Sequence, residues 1–388
     1  MLDNLLITPH RSALFLQATD AAAYPPIINA ATLLAENGWR VTVLTAPIVG
    51  HQFEFPTHPN ISLETFDARP THVMSKSDYF RYCMQSAELA RRLKPDIIYG
   101  SDIFGGGASL IASKLGGSKI VYHEHDSPPT GRNGKIQHFL RTRAARAANL
   151  VIFPNEERGR IAQTEIGFSK DRLRVVWNTP LKADIPQIAR SSEAPLMVYY
   201  HGSINRDRIP SAIVSALARF GGRIALTIIG YESPNAIGYV AELEQLAQKL
   251  SGMNNLVHSK GLLPRSQVII AAAEADVGLA LMPIVTTDIN MRYMTGASNK
   301  IFDYMAAGLV PLVSDLPDWK TTFVHPGYAL SCNPNDEDSI SVVFEYLLTN
   351  RHEIRLIRER NRAKIMSEWN YDVAFKPVIS ELEQIAIK

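Results

Sequence analysis

Ser298-Asn299-Lys300-Ile301-Phe302-Asp303-Tyr304-Met305-Ala306-Ala307-Gly308-Leu309-Val310-Pro311-Leu312-Val313-Ser314-Asp315 is the stretch on which the reading of this chain turns. Ser298 and Asn299 are residues that cap a helix start, and Gly308 suits the left-handed position that closes one. Residues 309–313 form an apolar run of strand length. The segment therefore predicts a short helix followed by a buried strand. Asn299, Lys300 and Asp303 fall within one turn and share a face near the helix start, while Ile301, Phe302 and Met305 can point to the core. Backbone N–H groups and Lys300 suit phosphate oxygens, and a carboxylate suits a pair of sugar hydroxyls. A nucleotide diphosphate needs that combination. Taken alone, Lys300 and Asp303 also fit a surface i,i+3 ion pair.

The alternation seen there extends along most of the chain. In the first half, strand-like runs fall at 13–17, 41–45, 61–66, 96–99, 119–123 and 150–153, with helical patterns at 26–37, 77–93, 106–115 and 135–148. The pattern fails from Asn178 to Pro195, where Asn178-Thr179-Pro180, Asp184-Ile185-Pro186 and Ser191-Ser192-Glu193-Ala194-Pro195 read as a linker. It then restarts, with strands at 196–200, 224–229, 256–258, 277–281, 309–313 and 328–330 and helices at 211–220, 236–250, 266–273 and 300–307. Residues 336–388 are mostly helical in pattern. Such alternation predicts βαβ units and parallel sheets, with ligands held at the carboxyl ends of the strands. The expected division is a domain over 1–180, a linker over 181–195, a second domain over 196–369 and a final helix over 370–388.

Length and composition bound the function. The 388 residues allow two domains, and a hydrophobic content of 46% is ample for two cores. A net charge of +2 is too weak a bias to argue for nucleic acid. Cys83 and Cys332 stand far apart, so no metal or redox spacing exists, and free thiols in a reducing cytoplasm are expected. The opening Met1-Leu2-Asp3-Asn4 has an early acid and no basic n-region, and no apolar run approaches ~20 residues. A cytoplasmic protein is expected, with peripheral membrane contact left open.

Loops after strands carry the candidate chemistry. In His201-Gly202-Ser203-Ile204-Asn205-Arg206-Asp207-Arg208, Gly202 permits close approach of backbone to ligand, and Arg206 or Arg208 can grip a diphosphate with forked donors. Taken alone, an ordinary surface loop with two solvated arginines is the favoured reading. Gly261 in Ser259-Lys260-Gly261-Leu262-Leu263-Pro264 reads by itself as a turn glycine. Tyr122-His123-Glu124-His125-Asp126 ends a strand; it lacks the further ligand pattern of a metal site, so no metal is expected. Gly105-Gly106-Gly107 lacks both the dinucleotide fingerprint and a Walker lysine, and reads as tight packing of a helix on the sheet. Arg132, Lys135, Arg141, Arg143 and Arg146 beside Phe139 and Leu140 form a basic run, either a solvated helix face or a patch drawn to an anionic bilayer.

The order Ser-Asn-Lys, an acid, Tyr-Met-Ala-Ala-Gly and an apolar strand at 298–313 resembles the donor-site helix of family-4 glycosyltransferases. The resemblance extends over nearly the whole chain, strongest from Leu196 to Asp315. It implies the α/β GT-B fold: two Rossmann-like parallel-sheet domains facing across a cleft, with C-terminal helices of which the last returns to the N-terminal domain. It further implies transfer of a sugar from a nucleotide-diphospho-sugar, with retention at the anomeric carbon and without metal or other cofactor. The partners it implies are that donor and a glycan, lipid-linked or small-molecule acceptor. Arg208 aligns best with the basic residue that reaches the donor diphosphate, with Arg206 as the alternative. The resemblance places Lys300 with it, the backbone at Gly261 beside the base, Gly202, Ser298 and Asn299 at the donor, and Asp303 on the ribose. His125 matches the histidine that faces the transferred sugar. The first βα loop, Ala18 to Pro26, lacks the paired glycines of many members.

The sequence departs from the family at one further point. Members commonly carry two glutamates with seven residues between them, and here Thr295 and Asp303 stand at those positions. Gly296 keeps a backbone N–H for sugar hydroxyls. Other readings on the same fold are an epimerase or phosphorylase acting on nucleotide-linked sugars, or a silent sugar-nucleotide-binding subunit. A nicotinamide dehydrogenase is disfavoured by the missing fingerprint.

Overall fold

The computed structural model describes residues 11–47, 53–67, 74–128, 135–187 and 195–387. The chain divides into two compact units, one of residues 1–178 with 371–388 and one of residues 179–370. The described part of the expected linker thus goes with the second unit.

The first unit runs β1 (Ser12–Gln17), α1 (Pro25–Glu36), β2 (Arg40–Thr45), β3 (Ile61–Thr65), α2 (Lys76–Leu93), β4 (Ile97–Ser101), α3 (Asp102–Gly116), β5 (Lys119–His123), α4 (Lys135–Ala147), β6 (Leu150–Phe153), α5 (Glu156–Ile166) and β7 (Leu173–Val175). Its strands form one sheet in the order β3-β2-β1-β4-β5-β6-β7, and its pairings are parallel. Central strands are buried on both faces, as a sheet covered by helices on both sides requires. Local signals set the helix ends. Pro25 and Pro26 open α1 at positions where a missing N–H costs nothing, and Ser75 caps α2 by accepting the Asp78 N–H at 3.1 Å. The glycines of α3 are there for packing, as expected: a Cβ on Gly105 would lie 2.1 Å from the Leu16 carbonyl oxygen, and one on Gly106 2.5 Å from the Tyr122 ring.

The second unit runs β8 (Leu196–Ile204), α6 (Ser211–Ala218), β9 (Ile224–Glu232), α7 (Tyr239–Ser251), β10 (Val257–Ser259), α8 (Arg265–Ala272), β11 (Val277–Ala280), α9 (Ile289–Arg292), α10 (Asn299–Ala306), β12 (Val310–Ser314), α11 (Pro317–Trp319), β13 (Leu330–Cys332), α12 (Glu337–Thr349) and α13 (Arg351–Ser367). Its parallel sheet has the order β10-β9-β8-β11-β12-β13. One continuous apolar core joins β8, β9, β11 and β12 to α6, α7 and α12. The last helix, α14 (Tyr371–Ile387), belongs to the first unit. There Tyr371 donates its hydroxyl to the Pro26 carbonyl at 3.2 Å, and Glu383 and Glu381 pair with Arg11 and Arg174 at 3.0 and 2.6 Å.

Three elements depart from expectation. Helix α5 and strand β7 fall in a stretch with no predicted element. Asn155 caps α5 by accepting the Arg158 N–H at 3.1 Å, and Gly159 lets the helix approach Leu173 and Phe153. Helix α3 begins four residues earlier than its periodicity suggests, at Asp102, which sits at φ +53° directly after β4.

Candidate functional site

Strand order in the second sheet reverses between β8 and β11, and open parallel sheets hold ligands at the carboxyl side of such a point. Three glycines line that edge. Gly202, at φ +110°, pairs across β8 and β9 with Gly230, at φ +148°. A Cβ on Gly230 would lie 1.9 Å from the Gly202 carbonyl oxygen, so no side chain fits there. The Gly230 N–H donates to the Gly261 carbonyl at 2.8 Å. Gly230 escaped the sequence reading because an isolated glycine inside an apolar run carries little local signal.

Helix α10 brings Lys300 to this edge. Its Nζ lies 3.2 Å from the position a Gly202 Cβ would take and 5.5 Å from the centre of the Tyr200 ring. The turn after β8 brings Arg208, whose N–H is held by Asn205 Oδ1 at 3.1 Å and whose guanidinium rests on the sulfurs of Met282 and Met291. Among the described residues, neither cation has a carboxylate at ion-pair distance. Burial first, and the Arg208 charge second, pull the Lys300 ammonium down to about 7, against the opposing pull of Asp303. Ser298 precedes α10 at its N-cap position, yet its buried hydroxyl caps nothing and finds no hydrogen-bond partner. Two cations without a carboxylate at ion-pair distance, a hydroxyl without a partner among the described residues and a helix N-terminus stand together here, a chemistry that suits an anion. Asn299 opens the helix, and Gly296, at φ +78°, lies buried just before it.

Two of the expected residues are already engaged by neighbours. Arg206 pairs with Glu242 at 2.8 Å on the surface and lies over the Tyr239 ring at 4.4 Å. Asp303 does not lie on an exposed face with Lys300. It is fully enclosed and takes both arms of the Arg265 guanidinium, at 2.6 and 2.7 Å, and His201 Nε2 at 3.1 Å. Burial pushes its carboxyl up, but the Arg265 charge and hydrogen bonds outweigh that and hold it down at about 2. Neither Arg265 nor His201 carried a local signal. Thr295 donates its hydroxyl to Asp318 at 2.6 Å.

The carboxyl edge of the first sheet is different in chemistry. His125 is buried, and neither of its ring nitrogens has a hydrogen-bond partner among the described residues. Burial, then the Arg158 charge, lower it to about 3, so the ring is neutral at ordinary pH. Its backbone is clamped, the N–H donating to Asp102 Oδ1 at 2.7 Å and the carbonyl accepting from Arg158. His123 packs on it at 3.9 Å between ring centres and shares a 2.6 Å hydrogen bond with Tyr99. His123 Nε2, Gln17 Oε1 and Ser101 Oγ are also buried without partners. Burial, then the Asp126 charge, raise Asp102 to about 8.

The basic run is not one face. Arg141 is buried and forms two 2.6 Å hydrogen bonds to the enclosed Glu124. Arg146 is tied to the Ile166 carbonyl, Lys135 and Arg143 are exposed, and Arg132 lies outside the described residues. Cys83 and Cys332 are free thiols, both buried. No described helix is long and apolar enough to cross a membrane.

Comparison with known proteins places this geometry. Residues 27–179 match the family model described as Glycosyltransferase Family 4. No curated protein matches the sequence. A glycosyltransferase from Rickettsia africae ESF-5 is similar in structure, with TM-score 0.74 and 11% identity over 97% of this chain and 99% of that one. HepE from Anabaena, solved with UDP and glucose, gives TM-score 0.71 and 14% identity over 97% and 100% of the two chains. Sucrose-phosphate synthase from Thermosynechococcus elongatus gives 0.69 and 14% over 98% and 100%. At such identities the structures establish the fold. Residues 27–179 are similar to the Glycosyltransferase Family 4 model, and the chain as a whole has the GT-B fold of two Rossmann-like parallel-sheet units with C-terminal helices.

Proposed function

We propose that the chain is a glycosyltransferase that moves a sugar from a nucleotide-diphospho-sugar to a hydroxyl-bearing acceptor, with retention at the anomeric carbon. The observation that carries this is the pair Lys300 and Arg208, two cations side by side without a carboxylate to neutralise them. A departing nucleoside diphosphate gains negative charge in the transition state, and fixed cations aimed at it lower the barrier. Lys300, Arg208, the backbone N–H groups at Ser298 and Asn299 and the bare edge at Gly202 hold the diphosphate. Gly296 lies near the sugar and Gly261 near the base. With two side-chain cations in that role, a chelator leaves turnover unchanged.

On the first unit, the unpartnered nitrogens of His125 offer hydrogen bonds to a hydroxylated ligand. A glycan or lipid-linked glycan fits that chemistry, and such an acceptor would bring the protein to a membrane surface from the cytoplasmic side. Polysaccharide or glycoconjugate synthesis is the corresponding pathway class. The HepE structures with UDP and with UDP-glucose make uridine nucleotides the first donors to test.

A calorimetric panel of UDP-, GDP- and ADP-sugars, followed by product analysis with glycan acceptors, tests the reading. A glycosidic product with retained configuration supports it. Sugar isomerisation without transfer indicates an epimerase, and binding without consumption indicates a silent subunit.

A further inference from the structure

Arg265 belongs to no motif, yet it stands where a donor contact is needed. It opens α8, with a side chain that is 23% exposed, whereas the Asp303 carboxylate behind it is fully enclosed. A guanidinium carries five N–H groups, and Arg265 spends one from each terminal nitrogen on Asp303. The remaining three make no hydrogen bond among the described residues, although the Asp184 charge also acts on the group. A cation in the first turn of a helix opposes the helix dipole. Its placement there is held by the buried carboxylate, which fixes the plane of the fork.

Position supports a ligand-facing role. Arg265 follows Gly261-Leu262-Leu263-Pro264 directly, and the Gly261 carbonyl is bonded to Gly230, the cross-strand partner of Gly202. Its anchor Asp303 lies three residues beyond Lys300 on α10, about 4.5 Å along the helix axis. That step is of the order separating the phosphates of a nucleotide from its ribose hydroxyls. Hydroxyl oxygens accept from an exposed guanidinium edge; they cannot reach a carboxylate sealed behind it.

We propose that Arg265 takes the ribose hydroxyls of the donor nucleotide, with Asp303 serving as the positioning residue that orients it. This rests on the nucleotide-sugar reading of the second unit. The test compares binding of UDP with 2′,3′-dideoxy-UDP, and of GDP with its dideoxy counterpart, by calorimetry. Wild-type protein is expected to prefer the ribonucleotide by about tenfold, the range of a hydrogen bond from a charged donor. Arg265→Ala is expected to bring that ratio to about one. Arg265→Lys, which keeps the ion pair and loses the fork, is expected to do the same with melting close to wild type, and decides the matter if the alanine variant fails to fold. An undiminished ratio in a folded Arg265→Ala or Arg265→Lys protein overturns the proposal, since Asp303, uncovered, would then be the ribose ligand. Absence of binding by both nucleotides, or no loss of affinity in Lys300→Ala, overturns the nucleotide-sugar reading as well.

Discussion

Glu124 with Arg141, buried, and Lys300 with Arg208, half-buried, are two basic arrangements in comparable places, each near the carboxyl edge of a parallel sheet. In the first unit the arginine is neutralised by two short hydrogen bonds to an enclosed carboxylate. In the second, neither cation has a carboxylate at ion-pair distance among the described residues, and burial, then the Arg208 charge, depress Lys300 toward neutrality. The first arrangement is complete by itself. On the proposed reading, the second is completed by the donor's anion. The surrounding groups follow the same division, with neutral histidines, Gln17 and Ser101 on one edge and cations with a bare glycine ledge on the other.

Four measurements would break or sharpen this contrast. Glu124→Gln removes the enclosed carboxylate opposite Arg141, leaving it only the half-exposed Glu165 at 3.5 Å, and should cost about 3–5 kcal/mol in urea denaturation. A near-neutral result would mean that the pair is solvated and the two regions alike. Lys300→Ala and Arg208→Ala should each lower kcat/KM for donor consumption by ~10²-fold or more, with the double variant losing less than the product of the two. Full turnover in either single variant would remove the anion site.

The pH dependence of UDP-sugar affinity is the third. Lys300 titrates near 7 in the free protein, and a bound diphosphate holds it charged, so binding above that pH takes up a proton. Affinity is then greatest below 7 and weakens as pH rises, by up to about tenfold per unit. Lys300→Arg should flatten the profile, and a flat wild-type profile would contradict an uncompensated lysine. The smallest effect belongs to Arg206→Ala. Its exposed pair with Glu242 should alter turnover by no more than about twofold, whereas a large loss would restore Arg206 to the diphosphate.

The sheets were legible because their strands are apolar runs punctuated by glycine and proline, a signal read within a few residues. Strand β7, three residues long, and helix α5, with its Glu-Glu-Arg-Gly-Arg opening, lack such a run. Lys300 and Arg208 were legible from motif and helix geometry. The inward turn of Asp303 was not, since it depends on Arg265, 38 residues away on another helix. No periodicity distinguishes a carboxylate facing solvent from one facing a guanidinium brought in by the fold. The loop alone left Arg206 and Arg208 as alternatives, the resemblance preferred Arg208, and in the fold Glu242 on α7 engages Arg206.

The return of α14 to the first unit bears on how the protein is made. Residues 179–370 are contiguous, so the second unit has all its parts as soon as residue 370 leaves the ribosome. The first unit, though synthesised earlier, still lacks Tyr371 for the Pro26 carbonyl and Glu383 for Arg11. The amino-terminal sheet thus gains its last contacts only from residues made at the far end of the chain, whereas the second lobe draws on one unbroken run.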